Sequence, residues 1–281
     1  MSADMADEMR ENELFEPDEA ATAYDAEWWE RLGDQQAAAG NFQRALRMYR
    51  RAVRLDAHNP ARLTRLADCY VANEMPERAL QMYQRALEVD HHFADAHFGI
   101  GDLCEQYGLI EPALISFERA VRFSPHRAYY RGRFAAVLAK VGAWSEAIAQ
   151  LETAISYAPN DAYYRFQLAD IYLQMNRLSE AIACLEAAVR LAPLDEYYLL
   201  RLGAAYLRAN QAHKAVALFE RATQLAPQNR SYKTLLSYAY QCNGQHRQAD
   251  DLQRSIGTLG EYDRDFVRRI HRHVNGGSAS V

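Results

Sequence analysis

Small and large apolar residues recur along this chain at a fixed interval of 34 positions, and inside each interval the apolar positions advance by three and four. Steps of that size place side chains on one face of an α-helix, whereas a strand would alternate every two residues. With each interval numbered from Ala26, position 20 is alanine seven times running: Ala45, Ala79, Ala113, Ala147, Ala181, Ala215 and Ala249. Position 27 reads Ala52, Ala86, Ala120, Ala154, Ala188 and Ala222 before failing at Ile256. Position 8 stays small (Gly33, Ala67, Gly101, Ala135, Ala169, Gly203, Ser237), and position 7 stays large (Leu32, Leu66, Ile100, Phe134, Leu168, Leu202, Leu236). Small side chains at fixed points let two helices approach to the roughly 8 to 10 Å of packed axes, and the large neighbour fills the space they leave.

Turn-forming residues divide each interval into two helices, the first over about positions 1 to 14 and the second from about position 18. Gly40, Gly108, Gly142 and Gly244 fall at position 15, where glycine ends a helix by entering the left-handed region at little cost. Ser145 and Ser179 are expected to cap the second helix, and Pro112 suits its first turn. Pro125, Pro159, Pro193 and Pro227 then stop it.

On these residues the chain resembles the tetratricopeptide repeat family, whose helix-turn-helix unit carries W-x2-L-G-x2-Y, then A-x3-F, then P, at a period of 34. Trp29, Leu32 and Gly33 match the opening in the first repeat; Ala215, Phe219, Ala222 and Pro227 match the close in the sixth. Gln36 departs from the pattern, as do Ser237, Gln253, Ile256 and Glu261 of the last repeat, which reads as degenerate and terminal. The resemblance implies an all-α, right-handed superhelical solenoid of antiparallel helix pairs, with seven repeats over 26–59, 60–93, 94–127, 128–161, 162–195, 196–229 and 230–263. In a solenoid each repeat packs only on its neighbours, so no single deep core is required.

Composition changes this picture little: 281 residues, 25% of them charged, net charge −5. Residues 1–25 hold nine acidic side chains against Arg10 alone, so a disordered, acidic N-terminal tail is expected there. They lack the basic start and apolar stretch of a secretory signal, and no stretch reaches the roughly 18 apolar residues of a membrane span. The expected location is cytoplasmic. Cys69, Cys104, Cys184 and Cys242 are widely spaced and are expected as reduced thiols. A helix is expected over 261–274, with Tyr262, Phe266, Val267, Ile270 and Val274 as an apolar stripe and Arg264, Arg268, Arg269 and Arg272 off it. It is assigned as a cap on the array, followed by a disordered tail over 275–281.

No catalytic, cofactor or metal site emerges. The chain carries no P-loop, dinucleotide fingerprint, nucleophile elbow or zinc-protease helix. His91, His92 and His97 are the best metal candidates, but they lack a known ligand spacing and read as surface or packing histidines. His271 and His273 point to different sides of a helix. The terminal arginines read as a solvated face rather than a nucleic-acid or lipid site. The expectation is a non-enzymatic protein-interaction scaffold; the competing expectation is an accessory substrate-recognition subunit of an enzyme complex, such as a glycosyl transferase.

At 100° per residue, positions 2, 5, 6, 9, 12 and 13 of each first helix share one face, opposite positions 4, 7, 8 and 11. In the family that face lines a concave groove that binds peptide. Repeats one to three place Glu27, Glu30, Asp34, Asp68, Asp95, Asp102 and Glu105 there against Arg31 and Arg65. Repeats four to seven place Arg133, Lys140, Arg201 and Arg208 against Asp170, together with Tyr129, Tyr163, Phe166, Tyr197, Leu200 and Tyr238. Aromatic and arginine side chains are those most enriched at binding hot spots. The ten residues other than Asp170 are the expected partner-binding set, for an extended acidic segment with apolar side chains; Leu14 and Phe15 in ELFEPDE make residues 1–25 a candidate for self-occlusion. Tyr130, Tyr164, Tyr198 and Tyr232, one position later, are expected to pack between repeats. The aspartates at position 9 disfavour the groove chemistry by which some family members grip the acidic C-termini of heat-shock chaperones.

Overall fold

The computed structural model describes residues 24–275, which are helical apart from short connections, with no strand among them. The tails over 1–23 and 276–281, and with them the expected self-occluding segment, lie outside the described residues. The helices group into two compact units that divide after Pro125.

The first unit holds α1 (Ala26–Ala38), α2 (Phe42–Leu55), α3 (Pro60–Ala72), α4 (Pro76–Val89), α5 (Ala94–Gln106) and α6 (Ile110–Phe123). The second holds α7 (Ala128–Lys140), α8 (Trp144–Tyr157), α9 (Ala162–Gln174), α10 (Leu178–Leu191), α11 (Glu196–Arg208), α12 (Ala212–Leu225), α13 (Arg230–Cys242), α14 (His246–Ile256) and α15 (Glu261–Val274). From Ala26 to Arg230 each first helix begins 34 residues after the last, and the second helices keep the same step from Phe42 to His246. Within each unit the two helices of a pair pack most extensively on each other, and the second helix of a pair then packs on the first helix of the next.

Local sequence sets the ends of these helices. Asp25, Asn59, Asp161, Asp195 and Asn229 cap five first helices by accepting backbone N–H bonds through their side chains. Each such cap is worth about 1 kcal/mol. Position 15 is left-handed in all seven pairs, at Gly40, Glu74, Gly108, Gly142, Asn176, Asn210 and Gly244, with φ between 56° and 77°. The second helices begin one or two residues earlier than expected: Ala143 and Arg177 occupy the N-cap positions of α8 and α10, so Ser145 and Ser179 lie inside the first turn and cap nothing.

Packing within a pair turns on position 8 against position 24. A Cβ on Gly33 would lie 2.7 Å from the Tyr49 ring, one on Gly101 2.9 Å from Phe117, and one on Gly203 2.6 Å from Phe219. Where position 8 is alanine in α7 and α9, position 24 shrinks to Leu151 and Leu185. Across these five pairs a larger residue on one helix meets a smaller one on the other, as close packing requires. Tyr49 and Tyr83 keep their hydroxyls at the edge of this core, donating to Asp34 (2.7 Å) and Asp68 (2.6 Å). Burial first, and then the acceptor carboxylate, holds both phenols protonated. The position 9 aspartates of the first two pairs are therefore partly structural.

Candidate functional site

The first helices of the second unit present the expected face. Tyr129, Tyr163 and Tyr197 are exposed by 53%, 46% and 44%, whereas their neighbours Tyr130 and Tyr164 are buried, Tyr232 likewise, and Tyr198 is half-buried. One residue of helix is a 100° turn, which carries position 3 into the interface between pairs and leaves position 2 outside. The Tyr163 hydroxyl accepts from Gln167 Nε2 (3.1 Å), and the Tyr197 hydroxyl accepts from Arg201 Nη1 (3.1 Å), so both rings are steadied at their tips. Arg133 and Tyr238 are half-buried on the same face, and Lys140 is exposed.

Three members of the expected binding set are not open to a partner in this form. Phe166 is buried, stacked on Tyr198 at 5.2 Å and edge-on to Tyr197 at 5.4 Å, with the Arg201 guanidinium 5.1 Å from its centroid. Leu200 is wholly buried. Arg201 is 4% exposed; it pairs with Asp170 of α9. Its Nε has no hydrogen-bond partner among the described residues. Arg208 donates to Asn176. Counting formal charges along the groove therefore overstates what a partner would meet. The same correction applies in the first unit, where Arg62 and Arg65 pair with Glu30 and Arg65 also pairs with Asp34.

Among α7, α8 and α9 lies an open cleft of about 840 Å³, lined by Ala136, Ala139, Trp144 and Ile171 and also by Lys140 and Asp170. Its lining is mainly apolar, and Gln167, which also lines it, donates to the Tyr163 hydroxyl and so links the cleft to that ring.

The terminal helix α15 takes a place that its sequence did not announce. It lies against α11 and, less extensively, α13, rather than extending the stack beyond α14. Val267 and Ile270 are buried at this contact and Phe266 is partly so, 6.0 Å from the Tyr232 ring, whereas Tyr262 is 76% exposed. The His271 ring sits 4.5 Å from that of Tyr238. Ser231 Oγ donates to Asp263 (2.7 Å), and Arg230 donates to the Thr258 carbonyl (3.1 Å). The stripe was legible in the sequence; its destination was not, although α11 has Leu200 and Leu207 where α7 has Gly132 and Ala139, and Ala204 where α9 has Asp170.

The histidines of the first unit are closer to a ligand set than their spacing suggested, because Asp90 joins His91 and His92 with ligand atoms within 4.8 Å of one another. Asp90 already accepts from the His92 backbone N–H (2.9 Å), and the His91 and His92 rings lie 3.8 Å apart. His97 is buried against Phe123, its Nε2 3.0 Å from the His91 carbonyl, and burial lowers its pKa. The four cysteines are unpaired; Cys69 is buried and its thiol is pushed up to about 11. No described helix is long and apolar enough to cross a membrane.

Tetratricopeptide repeat models match residues 36–97, 138–202 and 197–229, together more than half of the chain. Among solved structures the chain is similar to pilF of Pseudomonas aeruginosa, at 18% identity and a TM-score of 0.62, over 72% of this chain and 92% of that one. YrrB, described as a TPR protein with an unusual peptide-binding site, aligns at 23% identity and a TM-score of 0.55, over 69% of this chain and 97% of that one. TTC0263, a thermophilic TPR protein of Thermus thermophilus, aligns at 25% identity and a TM-score of 0.53, over 65% and 99% of the two chains. No curated protein sequence matches significantly. In repeat length, helix pairing and family match alike, the chain belongs to the tetratricopeptide repeat family.

Proposed function

We propose that this protein is a non-enzymatic interaction scaffold, and that the first-helix face of residues 126–281 binds an extended peptide segment bearing acidic and apolar side chains. One observation carries the reading: Tyr129, Tyr163 and Tyr197 stand exposed at a constant 34-residue step while the tyrosines beside them are buried or half-buried. What sets these rings apart from other exposed aromatics is their common position on successive first helices, and aromatic side chains are enriched where partners bind. Tyrosine suits that role, with wide contact area and few torsions to freeze. The cleft that Gln167 links to Tyr163 would take an apolar side chain, and Lys140 of its lining an acidic neighbour. The likeness to YrrB supports peptide binding only by analogy of fold.

The test is co-purification from the native host with the wild type and with the combined substitution Tyr129→Ala, Tyr163→Ala, Tyr197→Ala. Because the three side chains are about half exposed, the variant should keep its far-ultraviolet helicity. Partners lost only from the variant support the reading, and partners retained equally overturn it.

A further inference from the structure

The groove positions of α11 differ from those of α7 and α9 in a way that only a resident occupant explains. In α7, Arg133, Ala136 and Ala139 are half-buried and Lys140 is exposed; in α9, Gln167, Asp170 and Leu173 are half-buried and Gln174 is exposed. In α11 the equivalent Arg201, Ala204 and Leu207 are all buried, within an unbroken buried run from Leu199 to Leu207. A helix that packs through one face cannot bury nine successive residues, since they pass more than twice around its axis. The remaining face is the one α15 covers.

That cover fits apolar surface well and polar groups poorly. Val267 and Ile270 are the fully buried side chains of α15. On α11 and α15 respectively, Arg201 Nε and His271 Nε2 are buried without a hydrogen-bond partner among the described residues. His273 lies close enough to Arg201 for the guanidinium to disfavour its cationic form. Arg201 already pairs with Asp170 through Nη2 and donates to Tyr197 through Nη1, so Nε is the donor left over; a ligand carboxylate there would add a charge-assisted bond that α15 does not supply. The helix is also suited to stand alone for a time, with Glu261 and Asp263 in its first turn and His271, Arg272 and His273 in its last, complementing its dipole.

We propose that α15 is a built-in competitor for the partner site: seated on α11 and α13 it closes that end of the groove, and an acidic, apolar partner segment displaces it and sets a carboxylate on Arg201. The inference rests on the reading of this face as the partner groove, and it adds that the accessible length of the groove is controlled from within the chain. Affinity for a ligand that needs the open form falls by the fraction of molecules that are open, so a site closed about nine times in ten loses about tenfold.

The test uses the full chain, with and without Ile270→Asp, and a fluorescein-labelled peptide ELFEPDE, the sequence of residues 13–19, as the acidic probe. Anisotropy should show the probe binding at least about tenfold more tightly to I270D than to the wild type. Adding Arg201→Met to I270D should remove that gain. Equal affinity for wild type and I270D overturns the proposal. Should I270D lose helicity, Phe266→Ala with Val267→Ala weakens the seat more gently and carries the same expectation. The functional reading fails separately, through the triple tyrosine variant: loss of the tenfold gap with tyrosine dependence intact refutes the competitor alone.

Discussion

Replacing Gly203 by alanine tests whether paired volumes at positions 8 and 24 hold this fold together. The new Cβ would stand 2.6, 2.8 and 3.1 Å from three atoms of the Phe219 ring, which is itself wholly buried between α11 and α12. Ordinary contact needs the ring to retreat by about 1 Å, and a close-packed interior gives it little room to do so. Overpacking of this kind costs about 1–3 kcal/mol, against which alanine returns about 1 kcal/mol of helix propensity. G203A alone should therefore destabilise by about 1 kcal/mol. Phe219→Leu alone should cost a similar amount, through the gap left against glycine. The double variant recreates the alanine–leucine pairing of Ala135 with Leu151 and Ala169 with Leu185, and it should be more stable than the sum of the singles by about 1–2 kcal/mol. Urea unfolding of the four proteins, followed by helicity at unchanged slope, measures the cycle. Additivity within about 0.5 kcal/mol would refute the volume argument.

Two further outcomes follow from the structure. Glu74 holds φ at 60° where each of its counterparts is glycine or asparagine, and glutamate lacks their tolerance of that region; Glu74→Gly should raise stability by about 1 kcal/mol, and a lower melting temperature would contradict it. Seating of α15 should weaken in acid. Burial first, then Arg201 of α11 and Arg272 of its own helix, lowers His273 from 6.5 to about 4, and burial lowers His271, which faces Tyr238 and, through it, Cys242 of α13. A histidine whose pKa is depressed when docked leaves docking untouched above 6.5 and opposes it as pH falls towards 4. From about pH 7.5 to about pH 5 the ceiling for His273 is about 30-fold in the docking equilibrium, reduced by solvent screening of a partly exposed ring. Hydrogen exchange corrected for its intrinsic pH dependence should show α15 losing protection relative to α13, and constant relative protection would refute the linkage.

The helices, their 34-residue step and the separation of Tyr129, Tyr163 and Tyr197 from the less accessible tyrosines beside them were all legible in the sequence, because each follows from periodicity along a single helix. What was not legible depends on which residues meet across helices. Asp170 and Arg201 are 31 positions apart in sequence, and only stacking brings them into one ion pair that removes both from the groove's free charge. The seat of α15 belongs to the same class: an amphipathic stripe says that a helix must bury one face, not against what. The available clue was narrow: Ala204 stands where α9 has Asp170, and Leu200 and Leu207 stand where α7 has Gly132 and Ala139. The N-caps at Asp25, Asn59, Asp161, Asp195 and Asn229 stood in plain view one residue before each helix start.

The Tyr83 ring shows that these repeats are not interchangeable blocks. Its own pair offers Ala67 at position 8, and the glycine that yields to the ring is instead Gly99 of the following pair, where a Cβ would lie 2.4 Å away. Gly132 likewise gives way to Tyr164 of the pair after it, at 2.8 Å. The gene for such an array could gain or lose a 34-residue cassette only where ring and glycine travel together. A crossover between Tyr83 and Gly99, or between Gly132 and Tyr164, would leave one without the other. The order of the repeats is thus written into their cores, and the array is inherited as a sentence rather than as an alphabet.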